Sequence, residues 1–120
     1  MAKKILIADD SMFMRRILKD ILSDKYEIVE AESGSKTEKQ LKKEKPDLTL
    51  LDIIMPEGEE EGIRVLKEIM KANPKAQVVM ITAVGQDTVV EECKKLGAAD
   101  YIVKPFDKEK VINTVQKYLG

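Results

Sequence analysis

Leu48-Thr49-Leu50-Leu51-Asp52-Ile53-Ile54-Met55-Pro56 is the stretch that decides the fold. Apolar and β-branched residues lead into a single carboxylate, and Pro56 closes the run. A short apolar run of this kind reads as a strand buried on both faces, the signature of a parallel sheet. Asp52 then stands at the C-terminal end of the strand, the edge at which open α/β sheets bind ligands. A lone Asp at such an end more often serves as a turn cap. Its neighbours in the fold decide between the two readings.

Working outward, the chain alternates strand and helix patterns. Lys4 to Ala8 is a β-rich run ending in Asp9-Asp10, and Ser11 reads as an N-cap. Phe13, Met14, Ile17, Leu18, Ile21 and Leu22 mark a helix over Met12 to Leu22. Tyr26 to Ala31 is a second strand, Ser33-Gly34-Ser35 a loop and cap, and Lys36 to Lys45 a charged helix whose only large apolar residue is Leu41. That helix is expected to be the least stable. Beyond the central strand, Ile63, Val65, Leu66, Ile69 and Met70 mark a helix ending near Asn73-Pro74. Gln77 to Ala83 is a strand. Val89, Val90, Cys93 and Leu96 mark a helix closed by Gly97 as C′ residue. Asp100 to Val103 is the fifth strand, and Val111, Ile112, Val115, Tyr118 and Leu119 mark the last helix. Cys93 and the methionines Met12, Met14, Met70 and Met80 read as core filler.

Five βα units in succession call for a doubly wound, flavodoxin-like parallel sheet in the order 2-1-3-4-5, with right-handed crossovers and helices on both faces. The 120 residues make one domain, expected to span 1–120 with no output domain attached. The net charge of −1 offers no basic excess for a phosphate backbone, so nucleic-acid binding is not expected. No apolar run approaches the ~20 residues that cross a bilayer, and the single Cys93 excludes an internal disulfide. With no signal-peptide pattern at Met1-Ala2-Lys3-Lys4, a cytoplasmic monomer is expected. The absence of His excludes Ser-His-Asp and Cys-His catalysis and every His-ligated metal site. Any metal must be held by oxygen, which means Mg²⁺, Mn²⁺ or Ca²⁺.

In the order 2-1-3-4-5 the first and third strands are neighbours. Asp9, Asp10 and Asp52 then converge, with Thr82 and Lys104 beside them from the fourth and fifth strands. At ~5 Å and an effective dielectric of about 20, each like-charge pair costs roughly 3 kcal/mol. Lys104 offsets one charge. The remainder calls for protonation or a divalent cation. A cation beside a nucleophilic carboxylate, a Lys and a hydroxyl is an arrangement for phosphoryl transfer. In it Lys104 pairs with one phosphoryl oxygen and Thr82 hydrogen-bonds another.

Asp9-Asp10, Asp52 ahead of Ile53-Ile54-Met55-Pro56, Thr82-Ala83 and Lys104-Pro105-Phe106 resemble the response-regulator receiver domains over the whole chain. The resemblance implies that Asp52 accepts a phosphoryl group from the phosphohistidine of a histidine kinase. It implies Mg²⁺, with Mn²⁺ as the alternative, held by Asp10, Asp52 and the carbonyl of Ile54, with Asp9 acting through water. It implies a switch in which Thr82 moves to the phosphate and Tyr101 turns inward, remodelling the face of helix 4, strand 5 and helix 5. Such a protein turns over no external substrate, but catalyses its own phosphorylation and dephosphorylation. Asp9-Asp10-Ser11-Met12-Phe13-Met14-Arg15 resembles the stand-alone chemotaxis-type regulators in particular, whose downstream target is a flagellar motor component or another effector. Ile54 and Val84, two places beyond Asp52 and Thr82, are expected to flank the approach of hydrolytic water and to slow phosphate loss.

The chain departs from the family in the loop after Pro56. Gly62 falls about two residues late, Glu61 stands where the family has Asp or Asn, and Glu57, Glu59 and Glu60 make the loop acidic. The acids read either as favourable charges at a helix N-terminus or as an altered partner surface. Three other readings stay open. A flavin site would need a Gly- or hydroxyl-rich phosphate loop, where this chain has two Asp, and more aromatics than 4%. An aspartyl phosphatase would need an Asp at the place of Ile54. A phosphorelay intermediate passing its phosphate to another protein's His stays within the same family.

Overall fold

The computed structural model describes residues 2–120. Five strands form one sheet: β1 (Lys4–Ala8), β2 (Glu27–Ala31), β3 (Leu48–Leu51), β4 (Val78–Thr82) and β5 (Asp100–Val103). All pairs are parallel and the order is β2-β1-β3-β4-β5, as the βα alternation predicts. The helices are α1 (Met12–Leu22), α2 (Gly34–Glu44), α3 (Glu61–Ala72), α4 (Asp87–Leu96) and α5 (Lys108–Leu119). No helix among the described residues is long and apolar enough to cross a membrane.

Two aliphatic cores sandwich the sheet. On one face Ile5, Ile7, Leu48, Leu50, Val79, Ile81 and Ile102 meet Leu18 and Leu22 of α1 and Val111 and Val115 of α5. On the other, Leu51, Val78 and Met80 meet Val65, Leu66 and Ile69 of α3 and Cys93 of α4. Alternation of side chains along each strand sends neighbouring residues to opposite cores. This is why β3 and β4 read as unbroken apolar runs.

Three expectations need correction. Met12 and Phe13 are not core residues: each is 74% exposed. They occupy the first turn of α1, and the inward face of that helix is completed by Arg15, Leu18 and Leu22 instead. The second helix starts at Gly34, two residues before the expected Lys36, because Ser33 has an extended backbone and its Oγ accepts the Lys36 amide. Lys45 is not its last turn but its cap, in the left-handed region at φ 47°. Gly97 closes α4 at φ 116°, as expected.

Candidate functional site

Register brings the acidic residues together. Ala8 lies opposite Leu51, and the Asp52 amide donates to the Ala8 carbonyl at 2.9 Å, so Asp9 and Asp52 leave adjacent strands side by side. Thr82 ends β4 opposite Val103, and the Lys104 amide donates to the Thr82 carbonyl at 2.8 Å. All these residues emerge at the C-terminal edge of the sheet.

Asp9 and Asp52 are buried, at 2% and 7% exposure, while Asp10 is exposed. One carboxylate oxygen from each of the three lies within 4.8 Å of the others. Lys104 Nζ donates to Asp9 Oδ2 at 2.6 Å and to Asp52 Oδ2 at 2.9 Å. The remaining Asp9 oxygen accepts the Ser11 amide at 2.9 Å, and Asp52 Oδ1 accepts the Ile53 amide at 2.7 Å.

Burial pushes the Asp9 carboxyl above its ordinary value of 3.8, against the opposing pull of Lys104 and the Ser11 amide. A carboxyl raised on folding stabilises the fold below that ordinary value, and the contribution is lost as pH rises through the folded value. Three converging carboxyl groups thus face a single ammonium, that of Lys104. Burial lowers the Lys104 pKa, but its hydrogen bonds to Asp52 and Asp9 outweigh burial and leave it raised. Lys104 is thus a fixed cation.

The donor set fits a hard divalent ion. Three carboxylates converge, one open to solvent, and no nitrogen or sulfur ligand is among them. Met12, Phe13, Ile54 and Val103, which end or closely follow β1, β3 and β5 in the chain, are exposed.

Thr82 is fully buried, and its Oγ1 accepts the Val84 amide at 3.3 Å. The Tyr101 hydroxyl donates to the carbonyl of the same Val84. Thr82 and Tyr101 are therefore joined through one residue of the β4–α4 loop. Burial pushes the Tyr101 hydroxyl up to about 12, so it stays a donor at neutral pH. No motif singled out Val84 for this link, which depends on main-chain atoms.

A family model described as the response regulator receiver domain matches residues 5–116. The chain belongs to the receiver family. The chemotaxis protein CheY of Thermotoga maritima is 44% identical over 119 residues, covering 98% of each chain. Among solved structures, a CheY-like receiver domain protein from Methanospirillum hungatei superimposes with a TM-score of 0.92 at 27% identity, covering 99% of this chain and 94% of that one. The CheY of a CheX-CheY-BeF3-Mg²⁺ complex from Borrelia burgdorferi superimposes at 0.89 with 35% identity, covering 96% and 87%. This receiver is accordingly a homologue of chemotaxis regulators and a two-component signalling domain.

Sequence reasoning missed two parts of the receiver's site. Arg15 is buried in α1, where its Nη1 donates to the Asp9 carbonyl at 2.8 Å and its Nε to Glu30 Oε1 at 3.0 Å. It ties the loop that carries Asp9 to β2. Its only signal was a cation at an inward helix position. The second part is the packing of the acidic loop after Pro56, whose late glycine the sequence marks without saying what it meets. Gly62 stands where its neighbours leave no room for a side chain: a Cβ there would overlap the Asp52 carbonyl oxygen. The Gly62 amide donates to the Ile53 carbonyl at 2.8 Å. The late glycine thus meets the strand end directly. Of the inserted acids, Glu61 lies in the first turn of α3, whereas Glu57 reaches the first turn of α2.

Proposed function

We propose that this receiver is a phosphorylation-dependent switch, in which Asp52 takes a phosphoryl group from the phosphohistidine of a histidine kinase. The observation that carries this reading is the bridge of Lys104 Nζ between Asp9 and Asp52 in a three-carboxylate cluster. An Asp52 oxygen attacks phosphorus in line. The bond from phosphorus to the donor's imidazole nitrogen breaks, and that nitrogen keeps the electron pair. Lys104 leaves its carboxylate partners to pair with a phosphoryl oxygen, and the Thr82 hydroxyl donates to another. Asp10, Asp52 and the Ile54 carbonyl would hold Mg²⁺, or Mn²⁺, with Asp9 acting through water. The ion supplies the positive charge that the phosphoryl oxygens and carboxylates need to approach one another.

Movement of Thr82 toward the phosphate would withdraw the acceptor of the Val84 amide and so disturb the loop that holds Tyr101. That route supports a readout on the face of α4, β5 and α5, where a flagellar motor component or another effector would bind. The receiver would act in the cytoplasm as a monomer, with no external substrate.

The test is a small-molecule phosphodonor with Mg²⁺, followed by mass mapping. Asp52 should carry the label, and Asp52→Asn or chelation of the ion should abolish it; full labelling of Asp52→Asn would sink the assignment. Loss of the phosphate should be slow. Ile54 and Val84 offer no polar group to orient water, and positioning a nucleophile is worth several kcal/mol in favourable cases. The variants Ile54→Asn and Val84→Glu should lose phosphate severalfold faster than the parent; equal rates would remove the shielding idea.

A further inference from the structure

A helix leaves its first backbone N–H groups without partners inside the helix. In α2 all three amides of the first turn are satisfied, but by two different residues. Ser33 Oγ accepts from Lys36 at 3.2 Å, as a local cap does. The Gly34 and Ser35 amides instead donate to Glu57 Oε1 and Oε2, at 3.0 and 2.9 Å. These two backbone hydrogen bonds hold the Glu57 carboxyl below its ordinary range. Glu57 stands in the loop between β3 and α3, the loop that begins at Asp52.

The geometry of that loop gives the contact its meaning. Met55 and Gly58 exchange both backbone hydrogen bonds, at 3.1 and 3.0 Å, so Pro56 and Glu57 form the tip of a tight turn. Met55 is buried in the core beneath α3. At the far end Gly62 locks onto the Ile53 carbonyl. Ile54 lies between these points with its side chain 44% exposed. Its carbonyl is therefore placed by a rigid turn whose tip is pinned to a different helix.

We propose that Glu57 is a positioning residue. By docking on the first turn of α2 it fixes the loop that carries the Ile54 carbonyl, and so couples occupancy of the carboxylate site to the order of that turn. The inference rests on the reading of Ile54 as an ion ligand given above. Coupling of this kind is reciprocal: whatever the anchor adds to ion affinity, the ion adds to the anchor. Helix α2 is held mostly by polar ties, among them Gln40 Nε2 to the Glu30 carbonyl at 3.2 Å and Lys4 Nζ to Glu44 Oε1 at 3.0 Å, rather than by deep burial. Gly34 and Thr37 are its only buried residues. The phosphorylation site then has a second outlet, through α2, on the side of the sheet away from α5.

The test combines Mg²⁺ titration calorimetry with amide exchange on the full chain. In the parent, added Mg²⁺ should slow exchange at Gly34 and Ser35. In Glu57→Ala the Mg²⁺ affinity should fall by roughly fivefold, the lower end of ordinary coupling, and the slowing should vanish. Glu57→Gln keeps the length and one acceptor oxygen, so it should lie between the two; it also serves if the Ala variant fails to fold. Glu38→Ala removes the exposed bridge between α2 and Arg64 of α3 but leaves Arg64 paired with Glu61, which packs on Gly34, and should leave Mg²⁺ affinity unchanged. Equal Mg²⁺ affinity in parent and Glu57 variants would overturn the coupling alone, as would an equal loss in Glu38→Ala. A parent that binds no Mg²⁺ would overturn both the ion-site reading and this inference.

Discussion

Helices α2 and α3 are neighbours on one face of the sheet and are held by opposite means. Helix α3 buries Gly62, Ile63, Val65, Leu66 and Ile69, and its N-cap residue Glu60 makes no side-chain cap bond. Helix α2 buries only Gly34 and Thr37, yet every amide of its first turn has a side-chain acceptor. Apolar burial stabilises in proportion to area and needs no fine geometry. Polar anchoring holds one end of a helix in one place, and adds little once exposed to solvent. The lower halves of the two helices show the consequence. There the two helices line an open cleft of about 440 Å³, with Leu41, Ile69 and Ala72 among its walls. Gln77 also lines it, and its Oε1 has no partner among the described residues. The upper halves are tied by Arg64, which bridges Glu61 and Glu38 at 2.7 Å each. An exposed bridge of that kind is worth at most about 1 kcal/mol. Helix α3 is therefore held by its core, and α2 by polar ties along its length, of which the Glu57 anchor is the one that reaches the loop beside Asp52.

The contrast breaks first at the core. Leu66→Ala, at a fully buried position, should destabilise the fold by about 2–5 kcal/mol. Leu41→Ala, at a half-buried one, should cost no more than about half as much; denaturant melts that show equal losses would mean α2 is packed as firmly as α3.

A pH series sharpens it next. A carboxyl depressed on folding stabilises the folded state above its unfolded value, and the effect is lost as pH falls through the folded one. For Glu57 the ordinary value is 4.5. Protection of the Gly34 and Ser35 amides, corrected for intrinsic exchange, should therefore hold above that pH and fade below it, while the Val65 and Leu66 amides keep theirs. Simultaneous loss in both helices would show one cooperative unit and remove the distinction. Asp9, whose pKa is raised by burial, has the opposite sign and favours the fold as pH falls. The loss at α2 is therefore expected to be local.

The smallest effect is at the other end of α2. Lys45 adopts φ 47°, ψ 61°, a conformation that disfavours a Cβ by roughly 1–2 kcal/mol. The gain on Lys45→Gly is offset by the greater chain entropy of glycine, so the variant should be more stable by under about 1 kcal/mol in thermal melts. A loss of stability would place other holding contacts at Lys45.

The chain's own pattern determined the strand and helix order, the sheet topology and the identity of the carboxylate cluster. Apolar periodicity is local, and right-handed crossovers leave few ways to arrange five βα units. With the order settled, Asp9, Asp10, Asp52, Thr82 and Lys104 had to meet, because strand ends in a parallel sheet share one edge. The low apolar content of Lys36 to Lys45 accords with the two buried residues of α2. What only the tertiary structure decided were contacts between distant or main-chain partners. Apolar spacing placed Phe13 inside, whereas it is exposed in the first turn of α1 and Arg15 takes the inward position. Glu57 and Glu61 look alike in sequence, but one accepts the first two amides of α2 while the other packs on Gly34 and pairs with Arg64 on its own helix. The Val84 link between Thr82 and Tyr101 runs through backbone atoms that every residue type carries. Such choices depend on which atoms lie within about 3 Å once the chain has closed, and periodicity along the sequence holds no record of that distance.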